Sequence, residues 1–407
     1  MSTIHLERQA NAYLRKLSLE ISNRCVGRTG NLEATDFFAS TAASFGFNIK
    51  TPAFDCIDWS NDGAHLSVDG GTFEALVSPY SLGCTLNAPL VVVTTFEELE
   101  HAQAANKILL VRGELAKEQL MPKDFPFYNP EEHKRIVRLL ETKNPVAIIA
   151  ATTKDVEVAG AVYPFPLIED GDFDIPSVYM TEDEGYKLAD FTGQEITLEI
   201  RANRRPAVGN NVYARKGAMQ QPRVVIFAHI DAKDGTPGAI DNASGVIVLL
   251  LLAELMADYT GTPGIELVAL NGEDYYSAPG EKQYLADNAG KFSEIILGIN
   301  IDGAGYFQGK TAYSLYDCPL DIVSSIKEVF SPRIDMIEGE PWYQSDHSLF
   351  IMNKVPALAI TSEKFTEILT HIAHTSKDTP EIINTSRLVN TALALRELLQ
   401  RLDQQME

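Results

Sequence analysis

Arg223-Val-Val-Ile-Phe-Ala-His229-Ile-Asp231-Ala-Lys-Asp-Gly-Thr-Pro-Gly238-Ala-Ile-Asp241-Asn-Ala-Ser-Gly245 is the stretch whose reading organises the whole chain. Up to His229 it is a near-continuous apolar run, the pattern of a strand buried on both faces of a sheet. A short glycine-containing loop leads into a helix expected over Asn242–Asp258. Its apolar run Val246–Ala253 is too short to cross a bilayer and reads as buried. His229 and Asp241 stand at the two ends of this strand-to-helix loop, twelve residues apart, and suit a pair of ligands for a divalent metal. An Asp just ahead of a helix is equally suited to capping it, so position alone leaves Asp241 with two readings.

Strands and helices alternate on either side of this stretch. Strands are expected at Ile265–Asn271, Ile295–Asp302 and Ala357–Thr361, with helices at Glu281–Asn288, Pro319–Phe330 and Thr385–Leu402. Such alternation predicts an α/β fold, a three-layer sandwich around a mixed, largely parallel sheet. In open sheets of this kind, ligands gather outside the carboxyl ends of the strands. His229 ends one strand, Glu273 and Asp274 follow the next, and Asp302 ends a third.

The first half has a different texture. Helices are expected at Leu6–Ile21 and around Ala34–Phe45, joined by the turn Gly27-Arg-Thr-Gly-Asn31. From about Gly63 short β-like runs follow: His65–Val68, Leu90–Val93, Lys107–Val111, Val146–Ala150 and Ile175–Met180. A helix at Glu182–Asp190 and a strand at Glu195–Arg201 come next, and Arg204-Arg205-Pro206 reads as a linker. This divides the chain into a domain built from residues 1–62 and 208–407 and a β-rich insertion at 63–207. The insertion contains none of the metal-ligand candidates.

The chain has 407 residues, with 34 Lys and Arg against 56 Asp and Glu, for a formal charge of -22. That balance argues against nucleic acid or an acidic membrane as partner. It suits solubility, with a weak pull on amine-bearing substrates. Cys25, Cys56, Cys84 and Cys318 lack metal-type spacing and read as reduced thiols. With no apolar signal core in residues 1–20, the expected compartment is the cytoplasm.

The charge count favours two metal ions. Asp241, Asp274 and Asp302 offset three of four positive charges, and a bridging hydroxide offsets the fourth. Asp241, with two carboxylate oxygens, is the natural bridge. His229 and a second histidine add one neutral nitrogen each, and this His/carboxylate set suits zinc. Candidates for the second histidine are His371 and His374, one helical turn apart, and His347. Only one of the adjacent Glu273 and Asp274 can easily face a given metal, which leaves the other free as general base. Asp231, two residues after His229, is placed to orient the His229 ring.

These pieces resemble peptidase family M28, the group of zinc aminopeptidases and glutamate carboxypeptidase-like enzymes. The matching motifs are His229-Ile-Asp231, Gly238-Ala-Ile-Asp-Asn-Ala-Ser-Gly245, Asn271-Gly-Glu-Asp274, Asn300-Ile-Asp302, Ser345-Asp-His347 and His374-Thr-Ser-Lys-Asp-Thr379, in matching order and spacing. The opening turn Gly27–Asn31 is similar as well. The resemblance implies a zinc-dependent exopeptidase fold with one metal on His229, Asp241 and Asp302. It places a second on Asp241, Asp274 and His374, with Glu273 as general base. It also implies a protease-associated (PA) domain for the insertion, which in such enzymes borders the active-site cleft. One departure is Glu273-Asp274 where the family usually has Glu-Glu, a ligand one methylene shorter.

The resulting expectation is an aminopeptidase acting on peptides with a free N-terminus. A metal-bridging hydroxide would attack the scissile carbonyl and Glu273 would shuttle the proton. The alternatives are a carboxypeptidase or dipeptidase, a glutaminyl-cyclase-like acyl transferase, and a non-catalytic binding protein. The last would be expected to have lost ligands that this chain retains.

Overall fold

The computed structural model describes residues 2–21, 23–155, 162–218, 222–343 and 345–406. The chain divides into two compact units, Met1–Cys56 with Val208–Glu407, and Ile57–Ala207.

The first unit is built on an eight-stranded sheet in the order Asn48–Lys50, Val212–Lys216, Gly264–Leu270, Arg223–His229, Ile295–Ile301, Ala357–Ser362, Thr311–Tyr316, Met336–Glu338. The four central strands, Gly264–Leu270 through Ala357–Ser362, run parallel. Val212–Lys216 and Thr311–Tyr316 flank them antiparallel. The sheet is therefore mixed and largely parallel, as expected, and all four central strands end at the same edge.

Alternation along Arg223–His229 explains the layers. Val224, Ile226 and Ala228 join the large core beneath helices Thr3–Arg15, Thr29–Ser44, Ser244–Leu255, Leu320–Phe330 and Thr385–Met406. Phe227 points the other way, against the rings of Tyr284 and Phe350 at 4.7 and 4.6 Å. Those two belong to helices Pro279–Asp287 and Ser348–Met352 on the opposite face. A strand used on both faces has no room for polar residues, and this is why the run reads as uniformly apolar.

Helix Ser244–Leu255 is buried from Ser244 through Glu254. A helix without a polar face is held by its surroundings, not by propensity. Its fully buried Leu250 sits in the main core. Leu250→Ala is expected to lower unfolding free energy by about 3 kcal/mol, measurable as a reduced midpoint in urea.

The second unit carries its own sheet, in which Cys84–Val93, Ile108–Val111, Ala147–Thr152 and Ser177–Thr181 run parallel. Its separate core packs Leu109, Val111, Ile148 and Ala150 with Ile136, Val137 and Leu140 of helix Glu131–Lys143. Arg204, Arg205 and Pro206 are not a linker, because they lie inside the long strand Glu195–Asn210. The division falls at 56/57, not 62/63, within strand Ala53–Val68. Among the described residues no helix is long and apolar enough to cross a membrane, and Cys25, Cys56, Cys84 and Cys318 form no disulfide.

Candidate metal centre

Parallel pairing sets the first alignment. His229 lies opposite Leu270 and Phe227 opposite Asn300. The residues that follow each strand, Gly272–Asp274 and Asp302, therefore emerge beside His229 at one rim. His229 is fully buried.

Asp241 reaches the same rim by a tight return. Gly238 adopts φ +60°, and a Cβ there would lie 2.6 Å from Ala232 and 2.7 Å from Arg24 Nη2, so the turn admits only glycine. The chain then coils through Ala239–Ala243, with non-helical angles at Asp241 and Asn242, before helix Ser244–Leu255 starts. The capping reading of Asp241 fails here. Asn242 Oδ1 accepts from Gly245 N at 3.0 Å, and Asn242 Nδ2 donates to Ile301 O at 2.8 Å. With Asn242 serving the helix start, the Asp241 carboxylate is left to face the rim.

His374 is delivered by packing. Ile240, Tyr306, Ile368, Ile372 and Ala373 form one small buried cluster. The residues just ahead of Asp241 and just ahead of His374 are thus held together. His374 itself has φ +60°, the left-handed region that non-glycine residues seldom adopt and that tends to mark sites under functional constraint.

The resulting geometry centres on Asp241. Its Oδ1 lies 3.1 Å from His229 Nε2 and its Oδ2 lies 3.1 Å from His374 Nε2. Asp302 Oδ1 approaches His229 Nε2 at 3.6 Å, while Asp274 Oδ1 approaches His374 Nε2 at 2.7 Å. Each oxygen of one carboxylate faces its own histidine, and each histidine faces a further carboxylate. Atoms of His229, Asp241 and Asp274 also converge closely enough for a single ion.

The remaining candidates separate. His371 is exposed at the end of helix Phe365–His371. His347 is buried, with Nε2 2.6 Å from the Trp342 carbonyl, and burial pushes its pKa below the ordinary value. Asp231 lies 3.5 Å from His229 Nδ1, but its carboxylate is held by the amides of Gly272 at 2.8 Å and Asp274 at 3.0 Å. It thereby fixes the backbone that carries Glu273 and Asp274. Asp346 is buried close enough to the acids of the site to raise the Glu273 pKa.

The crowding of acids and imidazoles shifts their pKa values together. Burial opposes charging of His229, yet Asp231, Asp241 and Asp302 outweigh it and hold its pKa well above the ordinary value. His374 behaves alike under Asp274 and Asp241. The Glu273 carboxyl is pushed well above the usual range, first by burial and then by Asp302, Asp274 and Asp346, with His229 opposing.

The donor set fits divalent metal. Both ring nitrogens of His229 and both carboxylate oxygens of Asp274 are buried without a hydrogen-bond partner among the described residues. Their close approaches are to other donors of the same cluster, and buried polar atoms without a well-formed hydrogen bond are costly, so a bound cation would satisfy them. Imidazole nitrogens and carboxylate oxygens converging on a common point supply lone pairs of the kind that zinc accepts.

Sequence reasoning missed three supports. Ser345 Oγ donates to Asp302 Oδ2 at 2.7 Å and accepts from Asn300 Nδ2 at 2.8 Å. Asp378 and Arg24 hold the turn that precedes Asp241. The Ser345-Asp-His and His374–Thr379 motifs contained two of these residues, but nothing in their spacing says which atoms they touch.

Residues 210–399 match the family model described as Peptidase family M28. The probable lipoprotein aminopeptidase LpqL of Mycobacterium tuberculosis is 26% identical over 326 residues, covering 76% of this chain. The chain spans 62% of the length of that relative. Among solved structures, an aminopeptidase from Aneurinibacillus sp. strain AM-1 superposes with a TM-score of 0.75 at 22% identity, covering 97% of this chain and 93% of that one. BSAP, a zinc aminopeptidase from Bacillus subtilis, superposes with a TM-score of 0.72 at 19% identity, covering 97% and 94%. Identities this low carry the fold alone. Residues 210–399, which hold every one of the converging His and Asp side chains, are the part of the chain that matches peptidase family M28.

Proposed function

We propose that this chain is a dinuclear metal-dependent aminopeptidase, with zinc as its metal. The observation that carries the reading is the two-sided placement of Asp241 between His229 and His374. It divides the donors into two sets of three, His229–Asp241–Asp302 and Asp241–Asp274–His374. The aminopeptidase names of LpqL and the Aneurinibacillus enzyme and the zinc named for BSAP support the same reading.

When bound, paired divalent ions polarise a carbonyl and lower the pKa of water. The chain's own residues do the rest. Glu273 takes the proton of the attacking water and delivers it to the leaving amine. Asp231 holds the Gly272–Asp274 backbone in place, so that Glu273 and Asp274 keep their separate directions. Ser345 fixes one oxygen of Asp302. The insertion Ile57–Ala207 is read as a PA-like domain, a proposal supported by its separate sheet and core.

Two expectations follow from the donor set. The acids around His229 and His374 raise the pKa of both rings above the ordinary imidazole value, which favours their protonated forms in the metal-free chain. The rings must lose these protons to ligate. Zinc binding at pH 7 should therefore release protons, seen as a buffer-dependent heat in calorimetry, and the release should fade as pH rises. The zinc-loaded chain should also hydrolyse peptides with a free N-terminus and leave N-acetylated copies intact. Cleavage of acetylated peptides from the carboxyl end, or cyclisation of N-terminal Gln without hydrolysis, would overturn the aminopeptidase reading.

A further inference from the structure

Arg24 is a buried cation without a carboxylate ligand. It is 2% exposed, and among the described residues its guanidinium donates to four carbonyl oxygens: Leu17 at 2.6 Å, Ile230 at 3.0 Å, Pro237 at 3.1 Å and Gly238 at 2.7 Å. Ile230, Pro237 and Gly238 lie at the two ends of the loop that separates His229 from Asp241. From the other side, Asp378 takes the amides of the next residues. Its Oδ1 accepts from Ile240 N at 2.6 Å, its Oδ2 from Asp241 N at 3.0 Å, and its carbonyl from Ala239 N at 3.3 Å. The Arg24 guanidinium thus holds the carbonyls of residues 237 and 238, while Asp378 holds the amides of 240 and 241 with its carboxyl oxygens and that of 239 with its own carbonyl.

We infer that Arg24 and Asp378 are paired positioning residues which set the direction of the Asp241 carboxylate and hence the metal affinity of the whole centre. The inference rests on the dinuclear reading above. Its physical basis is the chemistry of the two side chains. The guanidinium presents donors in a rigid fork that can span both ends of one loop, which an ammonium on a flexible stem cannot do. Burying that charge is costly in isolation. Here it lies in the field of Asp378, Asp231, Asp241 and Asp274. Asp378 comes four residues after His374, so the clamp also ties the second histidine's loop to the backbone of the bridging residue. Gly238 completes it, because a side chain there would collide with Arg24.

The test compares parent, Arg24→Lys, Asp378→Asn and the double variant. Zinc dissociation constants are measured by competition with a chelating dye, and the visible absorption bands are recorded after cobalt substitution. Asp378→Asn preserves volume and one acceptor, so it keeps the test available should Arg24→Lys fail to fold. The expected result is a loss of zinc affinity of about 10- to 100-fold in each single variant, the range for groups that orient ligands. Altered cobalt bands and a double variant well short of additive should accompany it. Leu398→Ala, a core substitution in helix Thr385–Met406, should lower the melting temperature without moving affinity or bands. Folded clamp variants with parental zinc affinity and parental cobalt bands would overturn the inference. A parent chain that takes up neither zinc nor cobalt would instead overturn the dinuclear reading beneath it.

Discussion

Glu273→Gln is expected to lower kcat by about 10²- to 10⁴-fold while zinc content stays at the parental level. The side chains are nearly isosteric, so the rim should keep its shape, and Glu273 is not among the proposed ligands. What disappears is a carboxylate able to take a proton from water and return it to the leaving amine. The environment suits that task. Burial and the neighbouring Asp302, Asp274 and Asp346 raise the Glu273 pKa above the usual carboxylate range, which makes it a stronger base toward water. If the substitution left hydrolysis unchanged, proton transfer would have to be assigned elsewhere. If it also removed zinc, Glu273 would be a ligand.

Asp241→Ala should be more damaging, because both proposed half-sites share this carboxylate. Zinc affinity should fall by more than about 100-fold, beyond the upper end of the effect of ligand-orienting groups, and hydrolysis should fall with it. The fold should survive. The backbone at residue 241 is held by Asp378, and the helix start by Asn242. Circular dichroism matching the parent alongside lost metal would separate ligand loss from unfolding. Substituting Asp274 or Asp302 removes a donor from one half-site only, so either variant should retain one ion. Asp241→Ala binding two ions with parental affinity would rule out the bridge.

The parts of this molecule legible in its sequence were those governed by one-dimensional pattern. A strand buried on both faces must be apolar throughout, and Arg223–His229 is. Donors at successive strand ends share a rim because parallel strands end together, so His229, Asp274 and Asp302 could be grouped before any coordinates. Elements with weaker patterns escaped. Helix Glu131–Lys143 buries His133, Ile136, Val137 and Leu140, an i, i+3, i+4, i+7 spacing that was present but masked by its charged residues. The antiparallel flanking strands Val212–Lys216 and Thr311–Tyr316 are short and were not distinguished from loop.

Within the site, three-dimensional packing decided what spacing left open. His371 and His374 are equivalent on a helical wheel, yet the helix ends at His371. The left-handed turn at His374 and the cluster around Ile240 and Ile372 bring only His374 beside Asp241. Asp241 and Asn242 are adjacent polar residues at a helix start, and only the direction of each side chain shows that Asn242 serves the helix. Arg24 could not be found at all. Its partners are backbone carbonyls, which leave no mark on sequence.

The central claim is that two divalent ions share Asp241 in a centre required for hydrolysis. Titrating the metal-free chain with zinc, while following hydrolysis of a peptide with a free N-terminus, tests it most directly. The account predicts uptake that saturates at two equivalents per chain, with activity rising from none as the sites fill. Hydrolysis that persists after complete metal removal would contradict it.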